Sequence, residues 1–205
     1  MKYILKALPV GPIAANCYIF GCADTKQAVI IDPGADDKEI KALVAESGLS
    51  PICVINTHCH VDHIGANAKM GLPIFIHASD AWCLTDPVHN LSRMLGMSVD
   101  SPPASRLLDD GDIIKVGNLV MEVLHTPGHT EGSICIRCED VLFTGDTLFA
   151  EGVGRTDRPG GSEAKLMKSI TEKLLTLPDD TKVYPGHGPA TTIGHEKGHN
   201  PFFSG

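Results

Sequence analysis

Four apolar runs of this chain share one kind of ending, and that repetition constrains the fold more than any other feature. CVINT runs into His58, MEVLHT into Pro127-Gly128-His129, VLFT into Gly145-Asp146, and KVY into Pro185-Gly186-His187. Each run reads as a β-strand closed by glycine, threonine, histidine or aspartate. Strand ends at one edge of a core lie close in space, however far apart in sequence, and neighbouring glycines let the backbone approach a compact centre. The first ending is the richest. In Asn56-Thr57-His58-Cys59-His60-Val61-Asp62-His63-Ile64-Gly65, four ligand-type side chains fall within six residues.

The ligand count points to more than one ion. The first cluster offers His58, His60, Asp62 and His63; the later endings add His129, Asp146 and His187. A catalytic zinc takes about three protein ligands and a water. Seven ligands therefore suit two ions with a carboxylate between them, because a carboxylate has two oxygens that can each face one ion. A closed structural site is disfavoured, since structural zinc is normally rich in sulfur and no cysteine is needed here. One histidine at a strand end is usually an ordinary satisfied polar group, but seven ligands at four such ends are not explained that way.

Composition sets outer bounds. An apolar content of 42% in 205 residues can fill a proper core. The net charge of −8, from 17 basic and 25 acidic residues, argues against a nucleic-acid-tracking surface. No apolar run approaches membrane-spanning length. The opening MKYILKALPVG is broken by Lys6 and Pro9, too early for a secretory core. The seven cysteines, Cys17, Cys22, Cys53, Cys59, Cys83, Cys135 and Cys138, lie mostly in strand-like runs. The expectation is a cytoplasmic protein with reduced, mostly buried thiols. Cys135 and Cys138 are three apart on a strand and so face opposite ways, which argues against a shared site. Cys59 is expected to point away from the metals and pack.

The remaining pattern gives the order of elements. YILKAL, NCYIFGC and QAVIIDPG read as strands, and DDKEIKALVAESG as a helix with Ile40, Leu43 and Val44 on one face. PIFIHAS reads as a strand followed by a helix through AWCL. Between Thr85 and Ser105 the pattern fades, and Met94, Leu95 and Met97 suggest a lid or a short helix. DIIKVG, LVMEVLHTPG, GSICIRC and DVLFTGD give four more strands. SEAKLMKSITEKLLTL is an amphipathic helix capped by Ser162, and the tail from Pro189 has room for another short helix. The strands come in two batches, each closed by a helix and an apolar strand that ends in a histidine motif. That order fits an α/β fold of the αββα sandwich type, a single domain over residues 1–205, with the centre at one edge between two sheets.

Thr57-His58-Cys59-His60-Val61-Asp62-His63, with the later His129, Asp146 and His187, resembles the signature of the metallo-β-lactamase fold superfamily. The resemblance implies that His58, His60 and His129 hold a first metal, that Asp62, His63 and His187 hold a second, and that Asp146 bridges. It implies two divalent ions, zinc foremost, with iron or manganese also suited. The stretch Thr144 to Asp157 and the ending Tyr184 to Phe202 resemble the glyoxalase II-like branch, in its short bacterial form without the C-terminal helical domain. A small-molecule thioester is then the expected substrate, in a monomer or small homo-oligomer, with no nucleic-acid or membrane partner. Two divalent ions lower the pKa of a shared water toward neutrality, which supplies hydroxide for attack on a carbonyl. Asp62 either orients that nucleophile or only ligates, and Asp146 is placed with it in the catalytic centre. A thiolate leaves with little protonation help, so no dedicated acid is required.

Arg155 stands at the loop position where longer relatives of that branch carry a basic substrate-binding residue. It binds a substrate carboxylate or amide, or else pairs with Asp157. Lys197 and Asn200 are weaker substrate-binding candidates in the tail, and His125 is a candidate partner for a ligating imidazole. Two alternatives stay open. A mononuclear iron persulfide dioxygenase shares the GRTD motif and would use His58, His129 and Asp146. A non-catalytic metal-binding scaffold would need no such complete ligand set.

Overall fold

The structure, a computed structural model, describes residues 2–97, 99 and 101–203. The first half builds β1 (Tyr3–Val10), β2 (Ala15–Cys22), β3 (Gln27–Ile31), α1 (Asp37–Ser47), β4 (Ser50–Ile55), α2 (Val61–Ile64), α3 (Asn67–Met70), β5 (Ile74–His77) and β6 (Arg106–Leu108). Its six strands form one sheet in chain order, antiparallel from β1 to β3 and parallel from β3 to β6. The second half builds β7 (Ile113–Val116), β8 (Leu119–His125), β9 (Ile134–Cys138), β10 (Val141–Gly145), a small β11–β12 hairpin (Leu148–Phe149 and Gly152–Val153), α4 (Glu163–Ser169), β13 (Lys182–Pro185), β14 (Thr191–Thr192) and α5 (Ile193–His199). The second sheet has the order β14-β13-β10-β9-β8-β7.

Side chains alternate across each strand, and that alternation creates three layers of core. Tyr18, Phe20 and Cys22 of β2 face inward with Ile134, Ile136 and Cys138 of β9 and with Phe143 of β10, filling the space between the sheets. The intervening residues face out. On the first sheet Cys17, Ile30, Val54 and Ile76 pack against Ile40 of α1 and Ile64 of α2. On the second, Cys135, Leu142 and Val183 pack against Leu166 of α4 and Ile193 of α5. Helices thus cover both outer faces, as the two strand batches predict. Cys135 and Cys138 do lie in different layers.

Local endings follow the sequence closely. Gly48 closes α1 in a left-handed conformation, and its N–H bonds to the Ala45 carbonyl. Ser162 accepts from the Lys165 N–H at the start of α4. The helix continues past Ser169 in a wider π-turn, and Leu166, Ile170 and Leu174 stay on one fully buried stripe.

Three expectations are corrected. The AWCL segment is a 3-10 stretch, Ala78–Thr85, rather than an α-helix. It is held by side chains: the buried Asp80 carboxylate accepts from Cys59 N–H (3.2 Å), Gly132 N–H (2.7 Å) and Thr130 Oγ1 (2.7 Å). This contact brings the stretch against the histidine loop, where Cys83 forms a disulfide with Cys59, so these two thiols are not reduced. The five other cysteines are free and buried. Finally, residues 86–97 form hydrogen-bonded turns rather than a helix, including Arg93 N–H to Pro87 O (2.9 Å) and Met97 N–H to Ser92 O (2.8 Å). Ser98 and Asp100, in the same segment, lie outside the described residues.

Phe143 is fully buried between the sheets, with ring centroids 5.2 Å from both Phe20 and Tyr18. Phe143→Ala removes that ring and is expected to lower the unfolding free energy by about 3–5 kcal/mol. A urea titration followed by circular dichroism checks the value; a change below about 1 kcal/mol would mean that the two sheets do not meet here.

Candidate metal centre

Strand direction places the ligands. β8 and β10 both run antiparallel to β9, so they point the same way, and β13 is parallel to β10. Their C-terminal ends therefore deliver His129, Asp146 and His187 to one edge of the second sheet. β4 delivers the Thr57–His63 run to the same edge from the first sheet, where Ile134 N–H donates to Thr57 O (2.9 Å). The start of β2 clasps the last turn. Asn16 donates its side-chain amide to Pro185 O (3.0 Å) and Gly188 O (2.9 Å), and Tyr18 donates its hydroxyl to Pro185 O (2.7 Å). Crowding is tight enough to require glycine. A Cβ on Gly186 would collide with Asp146 Oδ1 and His63 Cε1, and Gly145 combines a φ of +47° with contact against Thr57.

All seven expected ligands meet there. His58, His60 and His129 form one triad and Asp62, His63 and His187 another, with ligand atoms within 4.8 Å of each other inside each triad. His60 Nδ1 lies 2.9 Å from His129 Nε2. Asp62 Oδ2 lies 3.1 Å from His187 Nε2 and 3.4 Å from His63 Nε2. Asp146 stands between the triads, with Oδ1 3.4 Å from His63 Nε2 and Oδ2 3.6 Å from His129 Nε2. His58 Nε2, His63 Nε2 and Asp146 Oδ1 are buried and have no hydrogen-bond partner. Three orphaned acceptors aimed into one nitrogen- and carboxylate-lined space fit bound divalent cations, because an unsatisfied buried polar atom otherwise costs about 1–3 kcal/mol.

Asp32 aims two of the imidazoles. Its Oδ2 accepts from His63 Nδ1 (3.0 Å) and from Thr57 Oγ1 (2.6 Å), and its Oδ1 accepts from Thr57 N–H (2.8 Å). A carboxylate can only accept, so His63 carries its proton on Nδ1. The Thr57 hydroxyl donates its one hydrogen to Asp32, so its oxygen accepts from His58 Nδ1 at 3.1 Å. The Arg155 carbonyl likewise accepts from His129 Nδ1 at 2.8 Å. In all three ligands the Nε2 lone pair is thereby turned toward the cluster. Asp32 holds this place from a left-handed backbone (φ +53°), an uncommon conformation that its surroundings stabilise.

Electrostatics divides the two triads. Burial, reinforced by His63 and His129, pushes His58 well below the usual histidine range, and burial with His129 brings His60 down to about 3. Both are neutral and ready to ligate. At the other triad, burial opposes protonation of His63, but the Asp146, Asp62 and Asp32 carboxylates raise it well above the ordinary value. His187 is raised against burial by its bond to Asp62 and by the Asp146 charge. Against the same burial, His63 holds both Asp62 and Asp146 below the usual carboxylate range.

The substrate-binding expectations fare differently. Beside the cluster lies a cavity of about 480 Å³, walled by Ile13, Leu91, Met94, Leu95 and Phe149 as well as by ligands. Arg155 lines it, but its guanidinium is committed to Asp157 at 2.6 and 2.7 Å. Lys197 is not brought there: it is bound to Asp179 (2.6 Å) and the Leu177 carbonyl (3.2 Å) across the second sheet's outer layer. Asn200 is fully buried, where it donates to Glu196 and the Gly152 carbonyl. His125 touches no ligand; its ring stacks on His77 at 3.9 Å and its Nε2 meets the Glu131 carbonyl. Sequence reasoning missed Asp32, although QAVIIDPG carries the same sign as the other endings, an apolar strand stopped by Asp-Pro-Gly. It also missed Arg158, which lines the cavity without an internal partner for its Nε.

The fold and the ligand set define a metallohydrolase-type sandwich, and comparison with known proteins agrees. The model of the metallo-beta-lactamase superfamily matches residues 10–187, and the chain belongs to that superfamily. The probable metallo-hydrolase YqgX of Bacillus subtilis is 41% identical over 207 residues, covering 98% of this chain and 97% of YqgX. The hydroxyacylglutathione hydrolase GloC of Haemophilus influenzae is 36% identical over 208 residues, covering 98% of each chain. Among solved structures, BLEG-1 B3 metallo-beta-lactamase has a TM-score of 0.93 at 41% identity, covering 98% of this chain and 100% of the other. TTHA1623 in a di-iron-bound form gives 0.84 at 35%, covering 96% and 99%. ETHE1 from Myxococcus xanthus gives 0.83 at 35%, covering 98% and 84%. The expected αββα class is thus borne out.

Two outcomes are expected of the metal centre. Asp32→Asn leaves His63 and Thr57 without a full carboxylate acceptor and should weaken metal affinity about 10–100-fold. Competition with a chromophoric chelator measures this, and an unchanged affinity would remove Asp32 from the site. Secondly, because His63 and His187 are raised, an ion at their triad must displace protons, whereas His58 and His60 are already neutral. Metal uptake therefore rises with pH, and the Asp62–His63–His187 end empties first as pH falls. Elemental analysis after dialysis at each pH should fall from about two ions per chain toward one; simultaneous loss of both ions contradicts the assignment.

Proposed function

We propose that the protein is a metal-dependent thioester hydrolase of the glyoxalase II kind, with S-lactoylglutathione as the first substrate to test. The observation that carries the reading is the make-up of the cavity wall. Among the described residues, apart from Arg155 and Arg158, every titratable side chain that lines it (His60, Asp62, His129, Asp146 and His187) belongs to the ligand cluster. An arginine does not give up its proton near neutrality. The described wall therefore holds no separate acid for a poor leaving group, and a thiolate, with its low proton affinity, is the leaving group that needs none. Full-length similarity to GloC, a hydroxyacylglutathione hydrolase, supports the same choice.

His58, His60 and His129 would hold one ion and Asp62, His63 and His187 the other, with Asp146 shared; zinc, iron and manganese all suit these donors. Divalent ions bound there supply Lewis acidity and lower the pKa of water toward neutrality. The chain's own part is to fix those donors and shape the approach. Asp62, at the cavity wall, can accept a hydrogen bond from an attacking water and so orient it. Leu91, Met94, Leu95 and Phe149 keep the carbonyl in an apolar surround that strengthens electrostatic interactions inside it.

A second reading, the persulfide dioxygenase, follows from this chain's own GRTD motif at residues 154–157 and would need a single iron. A third arm, a β-lactam, is suggested by the likeness to BLEG-1, a B3 metallo-beta-lactamase. One experiment separates them. Metal-replete protein is incubated with S-lactoylglutathione, with glutathione persulfide under oxygen, and with a β-lactam. Thioester loss should exceed that of an Asp146→Ala control by about a hundredfold or more. Rates equal to the control would remove the thioesterase reading. Brisk oxygen uptake with one iron per chain would replace it with the dioxygenase, and preferential opening of the β-lactam with amide hydrolysis.

A further inference from the structure

The walls of the metal cavity are of two opposed kinds. On one side stands Arg158, on the loop that follows Asp146. Its Nε is buried without a hydrogen-bond partner, and the nearby Asp157 carboxylate, which feels its charge, is bonded to Arg155 instead. The neighbouring Arg155 is neutralised by Asp157 and turned to solvent. A half-buried guanidinium whose Nε lacks a partner is costly, and its planar fork matches a carboxylate. Next to this cavity lies a chamber of about 300 Å³ lined by Val10, Pro12, Ile13, Ala35, Leu95 and Met97, and the two share Ile13, Asp62 and Leu95 in their walls. Among the described residues Asp62 is the one charged residue that lines this chamber, and the other lining side chains are apolar, so it accepts an aliphatic chain.

We propose that the site takes an aliphatic acyl thioester of a carboxylate-bearing thiol, with the acyl tail in the Ile13–Leu95 chamber and the thiol's carboxylate at Arg158. This rests on the hydrolase reading above. The acyl arm begins at the reacting carbon, and the chamber begins at Asp62, inside the ligand cluster. The thiol arm has to leave into water, which a charged arm does readily. Hydrolysis balances with water alone: the carbon–sulfur bond breaks, the carbon gains the hydroxyl oxygen, and the thiol takes the proton.

The test is a panel of thioesters varied along two axes. The acyl arm lengthens from acetyl to hexanoyl, and the thiol arm carries either a free carboxylate or its methyl ester. Each compound is paired with a non-cleavable thioether whose binding is measured by calorimetry. For the wild-type protein, kcat/KM and thioether affinity should rise by about fourfold per methylene. The carboxylate should be preferred over the ester by about tenfold or more, through KM. Arg158→Leu should bring the carboxylate compounds down to the level of the esters, whereas Arg155→Leu keeps the preference. Ala35→Leu should flatten the chain-length gradient, and Ile13→Trp narrows the same chamber from its exposed rim if that variant does not fold. A flat wild-type gradient, a gradient that follows the thiol arm instead, or a carboxylate preference that survives Arg158→Leu overturns the proposal. Thioether binding in the expected pattern without hydrolysis of any thioester would sink the hydrolase reading alone. Hydrolysis without either preference would sink this inference alone.

Discussion

One buried carboxylate holds the centre together. Asp32 sits at the end of β3 and bonds the threonine that precedes the histidine run, the ring of His63, and through the Thr57 hydroxyl the ring of His58. It therefore fixes one imidazole from each triad in the tautomer that offers Nε2. The arrangement is preorganised: the rings are aimed before any ion arrives, so ligation does not have to spend its free energy on freezing side chains. The left-handed backbone at Asp32 shows what the surroundings tolerate for that purpose.

The convergence of these seven side chains was legible in sequence because it depends on strand termini. A strand must stop where its apolar run stops, and in parallel neighbours those stops share an edge. The same logic read α1, the π-extended α4 and the two-sheet layering. It failed where long-range side-chain contacts, rather than periodicity, set the local path. The 78–85 stretch is bent into 3-10 turns by Asp80 reaching Thr130 and Gly132, residues about fifty positions away in the chain. Cys83 is thereby set with its Cα 5.8 Å from that of Cys59, a pairing that spacing alone did not suggest. Lys197 and Asn200 were assigned by position near the end of a motif, yet α5 turns them toward Asp179 and Glu196. Arg155 and Arg158 show the same difficulty at finer scale: two arginines on one loop, of which only the geometry reveals that one is already paired.

The disulfide links the ligand loop to the wall of the molecule from a second direction. Asp80 already ties Cys59 N–H to the 3-10 stretch, so covalent and hydrogen-bonded ties act in parallel on the residue between His58 and His60. His58 and His60 lean on that short segment, and a loop fixed at both its backbone N–H and its side chain loses little further entropy when it ligates.

The fold separates two tasks between two kinds of structure. Strand ends, clasped by Asn16, Tyr18 and crowded glycines, fix the donor atoms and leave no room for variation. The cavity walls come instead from segments outside the two six-stranded sheets: the turn at Gly11–Ile13, residues 91–97, and the stretch from Phe149 to Arg158. Side chains there can change while the backbone contacts to the cluster, such as the Arg155 carbonyl on His129, stay in place. A hydroxyacylglutathione hydrolase, a B3 metallo-beta-lactamase and ETHE1 all align with this chain at 35–41% identity, as expected where one fold hosts different sites. Among the described residues the cavity walls are aliphatic on the Asp62 side and carry elsewhere the Arg158 guanidinium, whose Nε has no hydrogen-bond partner, a polarity that the ligand cluster itself does not require.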